Sequence, residues 1–154
     1  VIALRWNDEL MTGDLAVDAG GIATDNTLAT AVLLSLFTDR RARADDALPS
    51  GDNDRRGWIG DALSSVDGDL FGSRLWLLRR AKQTEETRRR AEEYAREALT
   101  WLIDENVATE VRVSAVWRAR GWLGLAIAIE LRQGGVGNFE FSAAAGLGDT
   151  SEAA

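Results

Sequence analysis

Two runs of alternating residues near the C-terminus constrain this chain most. From Val107 to Trp117, the side chains of Val111, Val113, Ala115 and Trp117 fall on one face, and Glu110, Arg112 and Ser114 on the other. From Trp122 to Leu131, Leu123, Leu125, Ile127, Ile129 and Leu131 share a face, opposite Gly124, Ala126, Ala128 and Glu130. A period of two is the pattern of a strand with one buried face. Only Arg118-Ala119-Arg120-Gly121 lies between the runs, which suits a tight turn, so the pattern predicts a long antiparallel hairpin. The run Asn138-Phe139-Glu140-Phe141, after Gly134-Gly135, can add a third strand.

The apolar face of such a hairpin needs a cover, and three helices are predicted upstream. In the first, Leu28, Ala31, Val32, Ser35 and Leu36 fall at helical spacing, with Leu33, Leu34 and Phe37 widening the arc. Asp25 or Asn26 is placed to cap it, and the cations of Thr38 to Arg43 suit its end. The second spans Phe71 to Lys82, with Leu75, Leu78 and Ala81 on one stripe. The third runs from Glu85 to Ile103 and buries Ala91, Tyr94, Ala95, Ala98, Leu99 and Leu102. Glu85–Arg89, Glu86–Arg90 and Glu92–Arg96 are i,i+4 pairs in the favourable order, each worth about 0.2–0.5 kcal/mol.

Ile2, Leu4 and Trp6 alternate with Ala3 and Arg5, and turn signals bracket Leu15-Ala16-Val17, so a small β ribbon is expected at the N-terminus. Residues 45–69 hold the sole proline and read as a long loop, with one helical turn near Trp58. The expected fold is α+β: three helices packed on an antiparallel sheet centred on the hairpin. Residues 1–145 are expected to form one domain, and 146–154 a flexible tail.

Several function classes are disfavoured. Lys plus Arg is 18 and Asp plus Glu is 25, a net charge of −7 that works against nonspecific binding to nucleic acid or anionic membrane. The absence of Cys removes disulfides and thiolate chemistry. The absence of His removes the commonest metal ligand and the usual general base. No apolar run approaches the roughly 20 residues of a membrane span. Val1 to Trp6 is too short and too soon charged for a signal peptide, so synthesis in a cytoplasm is expected, in a chain starting just inside its initiator Met.

Candidate chemistry is thin. Asp104 and Glu105, with Glu110, could be imagined as the two carboxylates of a glycosidase, but a solvated turn explains them more simply. Counting a calcium loop from Asp52 puts Gly57 at position 6, yet position 12 is Leu63 and the ligand pattern fails. Gly134-Gly135-Val136-Gly137 lacks the Lys-Ser/Thr of a phosphate loop. Arg88-Arg89-Arg90 is balanced by glutamates at 85, 86, 92 and 93. No cofactor, metal or small-molecule substrate is expected.

Docking surfaces are the better candidates. Ser114 and Ala126 are outward-facing positions on the hairpin, where a strand edge is expected to stay open. Trp122 falls opposite the Leu/Ile face and is either an interface aromatic or folded over its own sheet. Trp101 and Trp117 fall on buried faces. Phe139 and Phe141 mark the third strand.

Five blocks in fixed order carry a resemblance: Ile2-Ala3-Leu4-Arg5-Trp6; Ala31 to Arg41, ending Leu36-Phe37-Thr38-Asp39-Arg40-Arg41; Asp54-Arg55-Arg56-Gly57-Trp58; Gly72-Ser73-Arg74-Leu75-Trp76-Leu77-Leu78; and Ala91 to Leu99. In these the chain resembles the baseplate protein family of Mu-like phages. More distantly it is similar to the sheath-initiator family of contractile tails, long labelled as having lysozyme activity. That family carries Thr-x-x-Gly-Glu-Arg where this chain has Thr38-Asp39-Arg40-Arg41. It carries Glu-Pro-Arg near Asp104-Glu105-Asn106, where this chain has neither Pro nor Arg. Arg40, Arg41, Asp104 and Glu105 are interface candidates by position. The resemblance implies a structural wedge part of a contractile-tail baseplate that offers its hairpin to other baseplate, sheath or tube proteins by strand addition. The competing readings are a peptidoglycan hydrolase of the tail and a prophage-encoded adaptor.

Overall fold

The computed structural model describes residues 4–7, 12–15, 17–18, 21–22, 28–49, 51, 53–66 and 68–145. The cap candidates Asp25 and Asn26, the start of the calcium count at Asp52, and the tail 146–154 lie outside them. In chain order the elements are β1 (Leu4–Asn7), β2 (Thr12–Leu15), β3 (Val17–Asp18), β4 (Gly21–Ile22), α1 (Leu28–Phe37), α2 (Glu85–Ala98), β5 (Ala108–Ala119), β6 (Trp122–Leu131) and β7 (Val136–Ala144).

The hairpin forms as its alternation requires, and the third strand joins it in the order β5-β6-β7. All pairings are antiparallel, with Ser114 opposite Ala126 and Ala126 opposite Glu140. Val113, Ile127 and Phe139 lie in the next row, on the opposite face. That inner face meets α1 and α2. Val32, Leu36, Ala91, Ala95, Leu99 and Leu102 pack there against Leu123, Leu125, Ile127 and Ile129, all nearly or fully buried. The alanines of α2 let its backbone lie close over β5, its main partner. α1 lies by β7, where the Phe37 ring meets Phe141 edge-on at 5.7 Å.

The expected α+β class is present, but the helix count is corrected. Among the described residues two helices exceed a single α-turn, not three. The segment predicted as a helix over 71–82 makes only a 3-10 turn, Leu75–Leu78. The physical reason is burial on both sides. Leu75 and Leu78 join the main core, while Trp76 and Leu77 pack with Ala42 in a second cluster. Upstream, Ser73 is bridged in parallel to Asp39, with Ser73 N–H donating to the Thr38 carbonyl at 2.9 Å and Arg40 N–H to the Ser73 carbonyl at 3.0 Å.

The helix expected over 85–103 also stops early. Thr84 caps its start by accepting from Thr87 N–H at 3.2 Å. α2 ends at Ala98, and one further turn, Trp101–Asp104, follows. The break turns the Trp101 indole toward α1, where its N–H donates to Ser35 Oγ at 3.0 Å. The N-terminal ribbon is two short pairs, β1–β2 and β3–β4, so the strand expected over 15–17 is divided between them. Within 45–69 the expected helical turn is the 3-10 segment Ile59–Leu63.

Candidate interaction surface

The strand edges follow from the pairing. In an antiparallel ladder each residue directs its N–H and C=O to one side, and neighbours alternate. Ala145 N–H donates to the Gly121 carbonyl at 3.0 Å, which sets the phase. Odd residues of β7 therefore bond to β6, and Val136, Asn138, Glu140, Ser142 and Ala144 turn their backbone groups outward. Among the described residues no strand pairs with that outer edge. On β5 the odd residues face outward instead. There Ala115 N–H donates to Glu92 Oε1 at 2.9 Å, and the Ala115 carbonyl accepts from Arg88 Nη1 at 3.1 Å.

The outer face of the sheet has small residues in its middle, Gly124, Ala126 and Ala128. Long charged side chains flank them. Arg112 reaches Glu130 at 2.7 Å, and Arg118 reaches Glu140 at 2.9 Å. Gly124 makes the second reach possible, because a Cβ there would stand 2.3 Å from Arg118 Nε. A shallow groove of about 360 Å³ runs over Ser114, Ala126, Ala128 and Asn138.

The predicted interface residues scatter over this frame. Ser114 is exposed on the outer face of β5. Ala126 is exposed on the same face, but it pairs with both neighbours, which corrects its placement at an edge. Trp122 is half-buried at the hairpin turn. Phe139 is half-buried against the core, and Phe141 belongs to the core itself, 7% exposed. Arg41 is exposed and donates to the Arg56 carbonyl at 3.3 Å, and Arg40 is half-buried. Asp104 and Glu105 are exposed in the turn before β5, while Glu110 pairs with Arg112 at 3.2 Å. None of these three carboxylates lines the groove over the outer face.

Sequence reasoning missed a buried ion cluster. Arg74, 7% exposed, donates from Nη1 to Asp46 at 2.9 Å and from Nη2 to Glu97 at 2.8 Å. Its guanidinium also lies 4.4 Å over the Tyr94 ring. Burial disfavours ionised Glu97, yet the Arg74 hydrogen bond and charge outweigh it and hold the carboxyl below its ordinary range. A lone charge, Arg74, directly before the apolar run Leu75-Trp76-Leu77-Leu78 was the available signal. Glu92, expected to pair forward with Arg96, turns back to Arg88 instead. Arg88 is also held by Glu85, whose carboxyl this hydrogen bond lowers. Beside the Arg74 cluster, between residues 43–49 and α2, lies an open groove of about 820 Å³ with mixed charge.

The model of the family described as Phage protein GP46 matches residues 28–136. "Baseplate protein gp46" of Escherichia phage Mu is 46% identical over 143 residues, covering 93% of this chain and 95% of that protein. "Mu-like prophage FluMu protein gp46" of Haemophilus influenzae is 38% identical over 114 residues, 74% of each chain.

Proposed function

The chain belongs to the Phage protein GP46 family, and from that membership we propose that it is a structural component of a contractile-tail baseplate, carried in the virion. The observation that carries this reading is the nearly full-length match to the phage Mu protein, whose name is that of a baseplate protein. Its direct partners in this reading are other tail proteins, with sheath and tube proteins the finer expectation, from the distant resemblance to the sheath initiators. The physical means is strand addition to the C-terminal sheet: an edge with unpaired N–H and C=O groups accepts an extended segment without disturbing the core. The outer edge of β7 is the acceptor in this reading. A segment lying there would place alternate side chains toward Phe139 and Phe141 and toward the polar outer face, so it would itself alternate apolar and polar residues.

The role is non-enzymatic in this reading. Asp104 and Glu105 stand exposed on a turn and line none of the grooves described above, so nothing in their setting supports a general acid–base pair. Two measurements test the proposal together. Purified particles should contain the chain at the baseplate end of the tail by immunogold electron microscopy, and particles made without it should lack sheathed tails. Cell-wall zymograms with the purified chain should show no clearing. Complete tails formed in its absence would overturn the structural role, and clearing that vanishes in Glu105→Gln would overturn the non-enzymatic one.

A further inference from the structure

The two edges of the sheet are not equivalent. On β7 the outward backbone groups face no strand among the described residues. On β5 both outward groups of Ala115 are occupied by side chains, the N–H by Glu92 and the carbonyl by Arg88. These two residues lie one turn apart on α2 and bond to each other. Glu85 grips Arg88 from the other side at 2.9 Å. Their side chains are only 24% and 20% exposed, so they are fixed in place over the edge. An acceptor and a donor thus stand where a neighbouring strand would present its own carbonyl and N–H.

We infer that Arg88 and Glu92 form an edge stopper, which keeps β5 of one copy of this chain from pairing with β5 of a second copy. The strand sequence alone provides no such protection. An antiparallel β5–β5 pair centred on Val113 would set Arg112 opposite Ser114 and Glu110 opposite Val116, with no like charges facing. In that register Ala115 would exchange both its outward bonds with Val111 of the second copy. Those are the two bonds the stopper holds. Charge-assisted bonds are about twice as strong as neutral ones, so a second strand cannot displace them at no cost. The result is a sheet guarded at Ala115 on β5, with no strand on the outer edge of β7 among the described residues, so that a partner can join at β7 without the chain pairing with itself through β5. Only that last use rests on the strand-addition reading; the stopper rests on α2 and β5.

The test needs this chain alone, so its outcome is separate from any result on tail assembly. Full-length wild type, Glu92→Ala, Glu92→Gln and Arg88→Lys are compared by circular dichroism, sedimentation velocity over a concentration series, and amide exchange. In wild type the Ala115 amide should be protected although it faces outward from an edge strand. In Glu92→Ala its exchange should rise about tenfold or more, the loss of one charge-assisted bond. The same variant should gain a concentration-dependent species of twice the wild-type mass. Glu92→Gln, which keeps an acceptor oxygen, should restore both. Arg88→Lys, too short to reach the Ala115 carbonyl, should show the mass doubling with the Ala115 amide still partly protected. A folded Glu92→Ala that sediments like wild type at every concentration would overturn the inference. So would an Ala115 amide that exchanges in wild type as fast as those of Asn138 and Ser142, a result that decides the matter even if the variants fail to fold.

Discussion

Arg74 donates twice to one oxygen of Glu97, from Nε at 3.0 Å and from Nη2 at 2.8 Å. This fork joins the 3-10 turn to α2, and through Asp46 it ties down residues 43–49 as well. Removing the cation would leave two shielded carboxylates facing each other. Breaking a buried pair in this way costs about 3–5 kcal/mol, and the Arg43–Glu97 contact at 2.6 Å recovers part of that. Arg74→Met should therefore lose about 3 kcal/mol in urea unfolding. Arg74→Lys should recover little, because an ammonium cannot reproduce the fork.

The same pair gives the chain an acid-sensitive term. Glu97 is held below its ordinary value in the folded state. A depressed carboxyl stabilises fully above the unfolded value, about 4.3, and that stabilisation is lost as pH falls through the lower folded value. Unfolding free energy should thus decline as pH drops below about 4. In Glu97→Gln the decline should be shallower and start from a lower plateau, as measured by urea titrations at stepped pH.

Gly72→Ala should be strongly destabilising. The residue sits at φ +97, and a Cβ there would lie 2.4 Å from the Thr38 carbonyl oxygen, a backbone atom held by Ser73 N–H. Left-handed strain alone is of order 1–3 kcal/mol, and the clash adds to it. A thermal midpoint within a degree or two of wild type would show that residues 38–40 and 72–73 do not pair as described.

Proline should separate the central strand from the free edge. Ala126 N–H faces β5 inside the sheet. Ala126→Pro removes that bond and wedges the strands apart, so it should cost about 3 kcal/mol or more and unfold the domain by circular dichroism. Asn138 N–H faces outward from β7. Asn138→Pro should stay folded but fail to support sheathed tails in electron micrographs. Normal tails from a folded Asn138→Pro chain would move the assembly contact away from the β7 edge.

The C-terminal sheet was readable from residues alone because a period of two has one structural solution when a face is buried. Val111 to Trp117 and Leu123 to Leu131 fix which side chains point inward before any partner is known. The polar face of α2 was readable too, since pairs such as Glu86–Arg90 act locally. Residues 71–78 were not. Leu75 and Leu78 fit a helical stripe, but the segment is short and apolar on every side, and pattern cannot tell such a run from a buried turn. Its conformation depends on Thr38, Arg40 and Ala42, more than thirty residues away. The Arg74–Asp46–Glu97 cluster is non-local for the same reason. Nor could alternation assign the edges. It placed Ser114 and Ala126 on one face, yet edge and centre depend on β7 arriving beside β6 and on α2 bringing Arg88 and Glu92 to Ala115. Sequence period specifies the direction of a side chain, whereas the saturation of a backbone edge is set by whichever distant segment packs against it.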